Sequence, residues 1–173
     1  MATGSNPLQD RVAIVTGASS GIGRAIALHL ASIGAKLVLN YSSNKLQADL
    51  VAKSVETRRR RADYIDIIIS RGFAEAGKRY ICGIEAAIDT MVKILAKELK
   101  GTGITANCVS PGPIATDMFF AGRTKEMVQK AIDECPLRRL GQSEDVVPLV
   151  GFLATDASEW VNGQVIRVNG GYV

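Results

Sequence analysis

The feature that most constrains the fold is the glycine-rich segment at residues 16–23, which reads T-G-A-S-S-G-I-G. It follows an apolar run at residues 12–15 and precedes apolar residues at helical spacing, so its glycines lie where a strand passes into a helix. Glycine lacks a Cβ, which lets the backbone turn tightly, and the start of a helix offers N–H groups to phosphate oxygens. The segment therefore predicts a strand, turn and helix that bind the pyrophosphate of a dinucleotide.

The segments around this turn repeat the pattern of a parallel α/β unit. A buried strand is predicted over residues 11–16, and apolar residues then recur at helical spacing until Gly34 ends the first helix. A second strand is predicted over residues 35–41 and a second helix over residues 44–56. Since two strand–helix pairs in succession are typical of one fold class, we expect a Rossmann-like, doubly wound parallel sheet.

The second half of the chain returns to the same alternation. The predicted elements are a helix over residues 83–100, a strand over 104–109, a turn over 110–113, a flap over 118–134, a helix over 144–155 and a strand over 164–168. The turn lies at the carboxyl end of a strand, which is the edge where open α/β sheets bind ligands. A second group of ligand contacts is therefore expected there.

The segment at about 57–85 is atypical, because it matches no clear template. It contains four arginines at residues 58–61 and a plausible strand at residues 64–69. We nevertheless expect a single domain over residues 1–173, since this length is usual for one domain and 47% hydrophobic content can fill a core.

The composition argues against several classes of function. The formal net charge is +4, but 22% charged residues of mixed sign make an ordinary surface, so we expect no nucleic-acid partner. The three cysteines form no C-x-x-C pair and the single histidine lies inside the first helix, so we expect no metal site. No segment has the apolar core of a signal peptide or a membrane span, so we expect a cytoplasmic protein without a membrane partner.

Three blocks of sequence, taken in order, resemble the short-chain dehydrogenase/reductases, and among them the plant NADPH-dependent aldehyde reductase type. The first is T-G-A-S-S-G-I-G at residues 16–23. The second is N-C-V-S-P-G-P-I-A-T at residues 107–116, and the third is W-V-N-G-Q-V-I-R-V-N-G-G at residues 160–171. The resemblance covers residues 8–56 and 91–173, and it implies a nicotinamide dinucleotide as cofactor.

The resemblance assigns candidate cofactor residues to both loops. Those for the pyrophosphate, the adenine ribose and the end of the second strand are Gly17, Ser19, Ser20, Gly21, Ile22, Gly23, Tyr41 and Ser42. Those for the nicotinamide end are Pro111, Gly112, Ile114 and Thr116. A purely structural turn is the alternative for each loop.

The end of the second strand bears on the choice of cofactor. Residues 40–43 read N-Y-S-S and lack the acidic residue that would bond a ribose 2′-hydroxyl and repel a 2′-phosphate. We therefore expect NADP(H) in preference to NAD(H). Arg24, Lys45 and the serine hydroxyls nearby are candidate donors to the phosphate, although ordinary exposed residues at helix starts explain them equally well.

The chain departs from the family at the catalytic residues. Members use a tyrosine as general acid and a lysine four positions later, because residues i and i+4 share a helix face and the ammonium lowers the pKa of the phenol. Here Tyr80 is followed four positions later by Ile84, and the other possible register places Ile81 and Glu85 at these positions. Tyr80 and Ser70 are the remaining candidates for general acid and substrate serine, and ordinary loop residues are the alternative.

The family's third and fourth strands, with their helices, have no counterpart between residues 56 and 64, so the sheet is expected to be shortened. In the family's strand order, 3-2-1-4-5-6-7, the loss opens the interior of the sheet, where backbone groups cannot stay unpaired. We predict that residues 64–69 pair directly with residues 12–16, which gives the strand order 2-1-5-6-7.

Two functions follow from these observations. One is NADPH-dependent reduction of an aldehyde or ketone, with a small carbonyl compound as substrate. The other is a catalytically impaired, truncated relative that binds dinucleotide or pairs with full-length subunits. The apolar stripe at residues 83–100 is the candidate surface for such pairing or for a homo-oligomer, and core packing is the alternative.

Overall fold

A computed structural model describes residues 6–41, 44–55, 67–69 and 78–172; for residues 67–69 and 78–86 it describes the backbone only. The chain divides into two compact units, of which the first comprises residues 1–65 and 147–158 and the second residues 66–146 and 159–173. Each unit carries a parallel sheet of its own. The single domain expected from the sequence stays a prediction.

The first unit contains the two strand–helix pairs predicted from the sequence, which are β1 (Val12–Val15), α1 (Gly21–Ser32), β2 (Lys36–Leu39) and α2 (Lys45–Val55). β1 and β2 pair in parallel, with Ile14 opposite Val38. Apolar residues of β1 and both helices are buried, namely Ala13, Val15, Ile26, Ala27, Leu30, Ala48 and Val51. These four predicted elements are confirmed, with ends that differ by no more than two residues.

The second unit is built on a three-stranded parallel sheet in the order β3, β4, β5. β3 (Ile67–Ile69) pairs with β4 (Asn107–Pro111), and β4 pairs with β5 (Val165–Val168). The strand predicted at residues 64–69 is therefore confirmed in its described part. Its expected pairing with residues 12–16 would join the two units and stays a prediction.

The helices of the second half differ from the predicted ones in their bounds and their number. α3 (Lys78–Glu98) begins before the predicted residue 83. The predicted flap contains two helices, α4 (Asp117–Phe120) and α5 (Lys125–Glu134). α6 (Ser143–Leu153) follows, then a single 3-10 turn before the chain reaches β5.

β4 begins and ends later in the chain than the strand predicted over residues 104–109. The Asn162 side chain accepts the Ala106 N–H at 2.9 Å, so this part of the chain is bonded by a side chain and not by a neighbouring strand. At its other end the strand continues through Pro111, which lies opposite Val168. The predicted turn at the end of this strand therefore starts only after the proline.

The turn before β5 carries the chain's single tryptophan, Trp160, whose side chain is 98% exposed. The turn itself is fixed, because the Gly163 N–H donates to the Ala106 carbonyl at 2.9 Å. It also packs against α3, since a Cβ on Gly163 would lie 3.4 Å from the Cβ of Ala96. The Trp160 indole is therefore exposed to solvent, although the turn that carries it is fixed by a hydrogen bond and by packing on α3.

A buried amide joins β4 to this turn. Asn107 is 2% exposed, its Nδ2 donates to the Val161 carbonyl at 2.7 Å, and its Oδ1 accepts the Gln164 N–H at 3.1 Å. The side chain therefore satisfies two backbone groups that precede the β5 strand ladder.

An ion pair holds the chain just before α6. Both terminal nitrogens of Arg139 donate to the Asp145 carboxylate, at 2.6 and 2.7 Å, and the Gln142 N–H donates to the same group at 2.6 Å. The Arg139 bonds first, and then the Gln142 N–H, lower the pKa of Asp145 to about 2. The charged carboxylate is therefore the form that the fold stabilises.

Replacing the buried Asn107 by Ala should lower the free energy of unfolding by about 1–3 kcal/mol, because the partly buried Val161 carbonyl and Gln164 N–H lose their hydrogen-bond partner. Urea unfolding measures the loss. Gln129→Ala, which removes an exposed amide bonded to Asp133, is the control and should stay within about 0.5 kcal/mol of the wild type. Equal stability of the two variants would contradict this role.

The Asp145 pair predicts a pH dependence of stability. Because the folded pKa lies below the ordinary value of 3.8, the contribution is complete above about pH 4 and is lost as the pH falls toward 2. The pair is partly exposed, so we expect the wild type to lose roughly 0.5–1 kcal/mol more than Asp145→Asn over that interval. Urea unfolding at pH 5, 4, 3 and 2 compares the two proteins, and parallel curves would refute the assignment.

Candidate functional site

The glycine loop between β1 and α1 has the shape predicted for a phosphate-binding turn. Gly17 and Gly21 have positive φ angles of 64° and 51°, a region that favours glycine. Gly23 is required for another reason, since a Cβ there would lie 2.3 Å from the Gly17 carbonyl oxygen. The first turn of α1 therefore packs directly on the loop, and a side chain at residue 23 would push the two apart.

The start of α1 is open toward the loop. Ser20 is the N-cap residue in an extended conformation, and within the described residues its side chain accepts no capping bond. The first N–H groups of a helix have no partner inside the helix, and they carry the positive end of the helix dipole. An anion placed at this turn would therefore meet backbone donors with little competition from side chains.

Hydrogen bonds tie the glycine loop to the end of β2. The Ala18 N–H donates to the Asn40 carbonyl at 3.1 Å, and the Asn40 N–H donates to the Val15 carbonyl at 2.8 Å. Of the other candidates here, Tyr41 is 36% exposed and Ser42 lies outside the described residues. The structure thus brings the loop and the end of β2 together, as the sequence predicts for a dinucleotide fold.

The second predicted loop lies in the second unit, after β4. The Gly112 N–H donates to the Val168 carbonyl at 3.1 Å, and a Cβ on Gly112 would lie 2.8 Å from the Cα of Asn169. Ile114 is buried, and Thr116 is the N-cap of α4, where its hydroxyl accepts the Phe119 N–H at 3.3 Å. The Ile114 side chain therefore packs in the core and the Thr116 side chain caps a helix. Contact of either residue with a nicotinamide stays a prediction.

This second loop is held by the chain before α6. The Gly141 N–H donates to the Pro113 carbonyl at 2.9 Å, and the Ala115 N–H donates to the Gly141 carbonyl at 2.8 Å. A Cβ on Gly141 would meet the Ile114 Cδ1 at 2.5 Å, so the two segments touch closely. No local sequence pattern predicts this contact, because the two segments are far apart in the chain.

The candidate catalytic residues are placed only in part. Tyr80 lies in the first turn of α3, where the backbone is described, and Ser70 lies outside the described residues. Because α3 is helical from Lys78, the position that shares a face with residue 80 one turn later is residue 84, which is Ile84. Their catalytic roles stay predictions, and a lysine does not occupy that position.

The flap carries an aromatic cluster that the sequence analysis did not assemble. Phe119 is 9% exposed and meets Phe120 edge to face, with ring centroids 5.4 Å apart. The Arg123 guanidinium lies 4.2 Å from the centroid of the Phe119 ring, a cation–π geometry. Phe120 and Met127 are 46% and 43% exposed, so the flap presents apolar surface.

The end of the chain reaches the flap. The Tyr172 hydroxyl donates to Oε2 of Glu134, the last residue of α5, at 2.9 Å. Burial, and then the bond to Glu134, raise the pKa of Tyr172 above its usual value. Spacing along the sequence could not reveal this bond.

Two predicted absences concern metals and membranes. Over the ranges that the structure describes, no group of three His, Cys, Asp or Glu side chains could hold a metal ion. Among the helices in those ranges, none combines the length and the apolar character of a bilayer span.

Two family models match the chain. Residues 61–173 match the model described as enoyl-(acyl carrier protein) reductase, and residues 11–75 match the model described as short chain dehydrogenase.

Curated relatives extend the match over nearly the whole chain. An NADPH-dependent aldehyde reductase-like protein, chloroplastic, from Arabidopsis thaliana is 38% identical over 258 residues, with 96% of both chains covered. A short-chain type dehydrogenase/reductase from Picea abies is 36% identical over 253 residues, with 96% of this chain and 93% of the relative covered.

Solved structures share the fold. A putative NAD(P)-dependent gluconate 5-dehydrogenase from Beutenbergia cavernae, with bound NADP, is similar at a TM-score of 0.76 and 22% identity, with 97% of this chain and 98% of that chain covered. This likeness supports the Rossmann-like fold class. The family models and the curated relatives confirm the family that the three sequence blocks suggest: the chain belongs to the short-chain dehydrogenase/reductases.

Proposed function

We propose that this chain binds NADP(H) at its glycine loop and that its reduction of aldehydes or ketones is severely weakened. The observation that carries the proposal is the close approach at residue 23, where any Cβ would meet the Gly17 carbonyl oxygen at 2.3 Å. A loop that leaves no room for a side chain, at the open start of a helix, fits a pyrophosphate. The residues present thus suit the cofactor that the family implies.

The preference for NADP(H) is the finer part of the proposal. Asn40 and Tyr41, at the end of β2, offer no carboxylate to repel a 2′-phosphate. Of the basic residues nearby, Lys45 forms an i,i+4 ion pair with Asp49 at 2.7 Å, whereas Arg24 lies in the first turn of α1. Arg24 is therefore the better candidate donor. The Arabidopsis relative, described as NADPH-dependent, and the Beutenbergia structure, which contains bound NADP, support the same preference.

The proposed weakness lies in proton delivery. When bound, NADPH supplies the hydride for carbonyl reduction. In this chain the Tyr80 hydroxyl would give its proton to the carbonyl oxygen, which the Ser70 hydroxyl would hold. Because residue 84 is isoleucine, no ammonium one turn later would lower the pKa of the phenol from about 10. An unassisted general acid of this kind costs roughly 10²- to 10⁴-fold in rate.

The length of the chain supports the proposal of a shortened sheet. The alignment with the Arabidopsis relative runs over 258 residues and covers 96% of that relative, although this chain has 173 residues. An alignment longer than the chain contains positions that the chain does not fill. We infer that the unfilled positions include the family's third and fourth strands, which agrees with the atypical segment at about 57–85.

Pairing through α3 is the second candidate function. Val92 is fully buried, whereas Met91 and Ile94 are 45% and 49% exposed, so the helix has an apolar face on each side. The outer face forms a shallow groove lined by Ala87, Thr90, Met91, Ile94, Leu95 and Glu98. This surface supports pairing with a second copy or with a longer relative.

The compartment is also a proposal. The sequence favours the cytoplasm, whereas the Arabidopsis relative is described as chloroplastic. A fluorescent fusion of the full chain, examined in plant cells, separates the two compartments.

Cofactor binding is tested by thermal unfolding with NADPH and NADH. We expect NADPH at ten times its Kd to stabilise the protein by about 1.4 kcal/mol, because it binds the folded state alone, and NADH at equal concentration to stabilise it less. Gly23→Ala should abolish the shift. Gly101→Ala, at a glycine with a positive φ of 80° and no atom within 4 Å of the added Cβ, is the control for a strained glycine away from the loop and should keep the shift. No shift with either dinucleotide would refute the binding proposal, and equal shifts would refute the preference.

Turnover is tested by following NADPH oxidation with a panel of small aldehydes and ketones. We expect the wild type to be about 10²- to 10⁴-fold slower than an intact relative, and Ile84→Lys to recover part of the rate because it restores the ammonium one turn after Tyr80. Ile84→Met is the control of similar size, and adding Tyr80→Phe should abolish any gain. A wild type as fast as its relative would refute the proposed impairment.

A further inference from the structure

The C-terminal segment at residues 169–172, here called the strap, touches two parts of the second unit. At its start Asn169 packs on the loop after β4, where a Cβ on Gly112 would lie 2.8 Å from the Asn169 Cα. Further on it packs on the residues that follow α5, since a Cβ on Gly171 would lie 2.9 Å from the Cγ of Pro136. The strap therefore connects the predicted nicotinamide loop with the end of the flap.

The strap is itself a tight turn. The Tyr172 N–H donates to the Asn169 carbonyl at 3.0 Å, and the Gly171 N–H donates to the Asn169 side-chain oxygen at 3.0 Å. Gly170 and Gly171 have positive φ angles of 62° and 85°, which few other residues adopt. These bonds fix the direction in which the Tyr172 side chain leaves the turn.

Tyr172 reaches α5 at its last residue. Its hydroxyl donates to Oε2 of Glu134 at 2.9 Å, and the other carboxylate oxygen of Glu134 lies 3.9 Å from Nζ of Lys130. No residue within α5 is fully buried, and only Val128, Ala131 and Ile132 are half-buried, so the helix packs on the unit with part of its apolar side alone. Just beyond α5 the Sγ of the buried Cys135 donates to the Gly170 carbonyl of the strap at 3.6 Å, so the bond from Tyr172 to Glu134 is a second contact between the strap and this end of the helix.

We propose that Tyr172 is a positioning residue: through Glu134 the strap holds α5 in place relative to the loop at Gly112. The consequence for turnover rests on the proposed function, because the flap and that loop would enclose the carbonyl substrate and the nicotinamide. The position of α5 depends only on contacts within the second unit, so the effect of Tyr172 on this helix can be measured without cofactor.

Hydrogen exchange measured by mass spectrometry on the full chain, without dinucleotide, tests the proposal. Tyr172→Phe should speed exchange of the α5 amides by roughly three- to tenfold, as expected for the loss of one solvent-exposed hydrogen bond. Glu134→Ala should have the same effect, and the double variant should add nothing further. Glu134→Gln keeps an acceptor for the hydroxyl and should stay near the wild type.

Two controls separate positioning from general stability. Lys130→Ala removes the other partner of Glu134 and should leave exchange in α5 unchanged. Peptides from β4 and α6 should exchange as in the wild type in every variant. Unchanged exchange in α5 on Tyr172→Phe, equal acceleration throughout the second unit, or an effect of Glu134→Gln equal to that of Glu134→Ala would each overturn the proposal. None of these results depends on whether the chain binds NADP(H).

Discussion

The contact between the first turn of α1 and the loop before it is the constraint on which the candidate site depends. With hydrogen alone at residue 23, the helix can begin directly against the Gly17 carbonyl, and the chain can turn from strand to helix in a few residues. The bond from the Ala18 N–H to the Asn40 carbonyl then fixes this turn against the end of β2. The close approach at Gly23 and the backbone hydrogen bonds thus fix the glycine loop, the start of α1 and the end of β2 relative to one another.

This arrangement separates the proposed cofactor loop from the proposed proton delivery. The loop is built from local backbone geometry, which requires only residues 16–23 and the adjacent strand. The proposed proton delivery would require particular side chains on another helix, where residue 84, one turn after Tyr80, is isoleucine. Fold and chemistry therefore depend on different parts of the sequence, so family membership does not by itself establish turnover.

The features that the sequence could predict are those that depend on local interactions, and the features that it could not predict depend on contacts between distant residues. The β1–α1–β2–α2 elements and the glycine turn were predictable, because apolar spacing and glycine positions act within a few residues. The continuation of β4 through Pro111 was not, since it depends on pairing with Val168. The bond from Tyr172 to Glu134 likewise joins residues that are 38 positions apart in the chain, so no local sequence pattern predicts it.

The exposed indole of Trp160 has a practical consequence for studying this protein. It is the chain's single tryptophan and is already almost fully in water in the native state, so its emission changes little when the chain unfolds. Its environment changes only when something covers the turn before β5. That turn packs on α3 at Gly163. Tryptophan fluorescence therefore reports molecules that bind over this turn, and it is poorly suited to following unfolding.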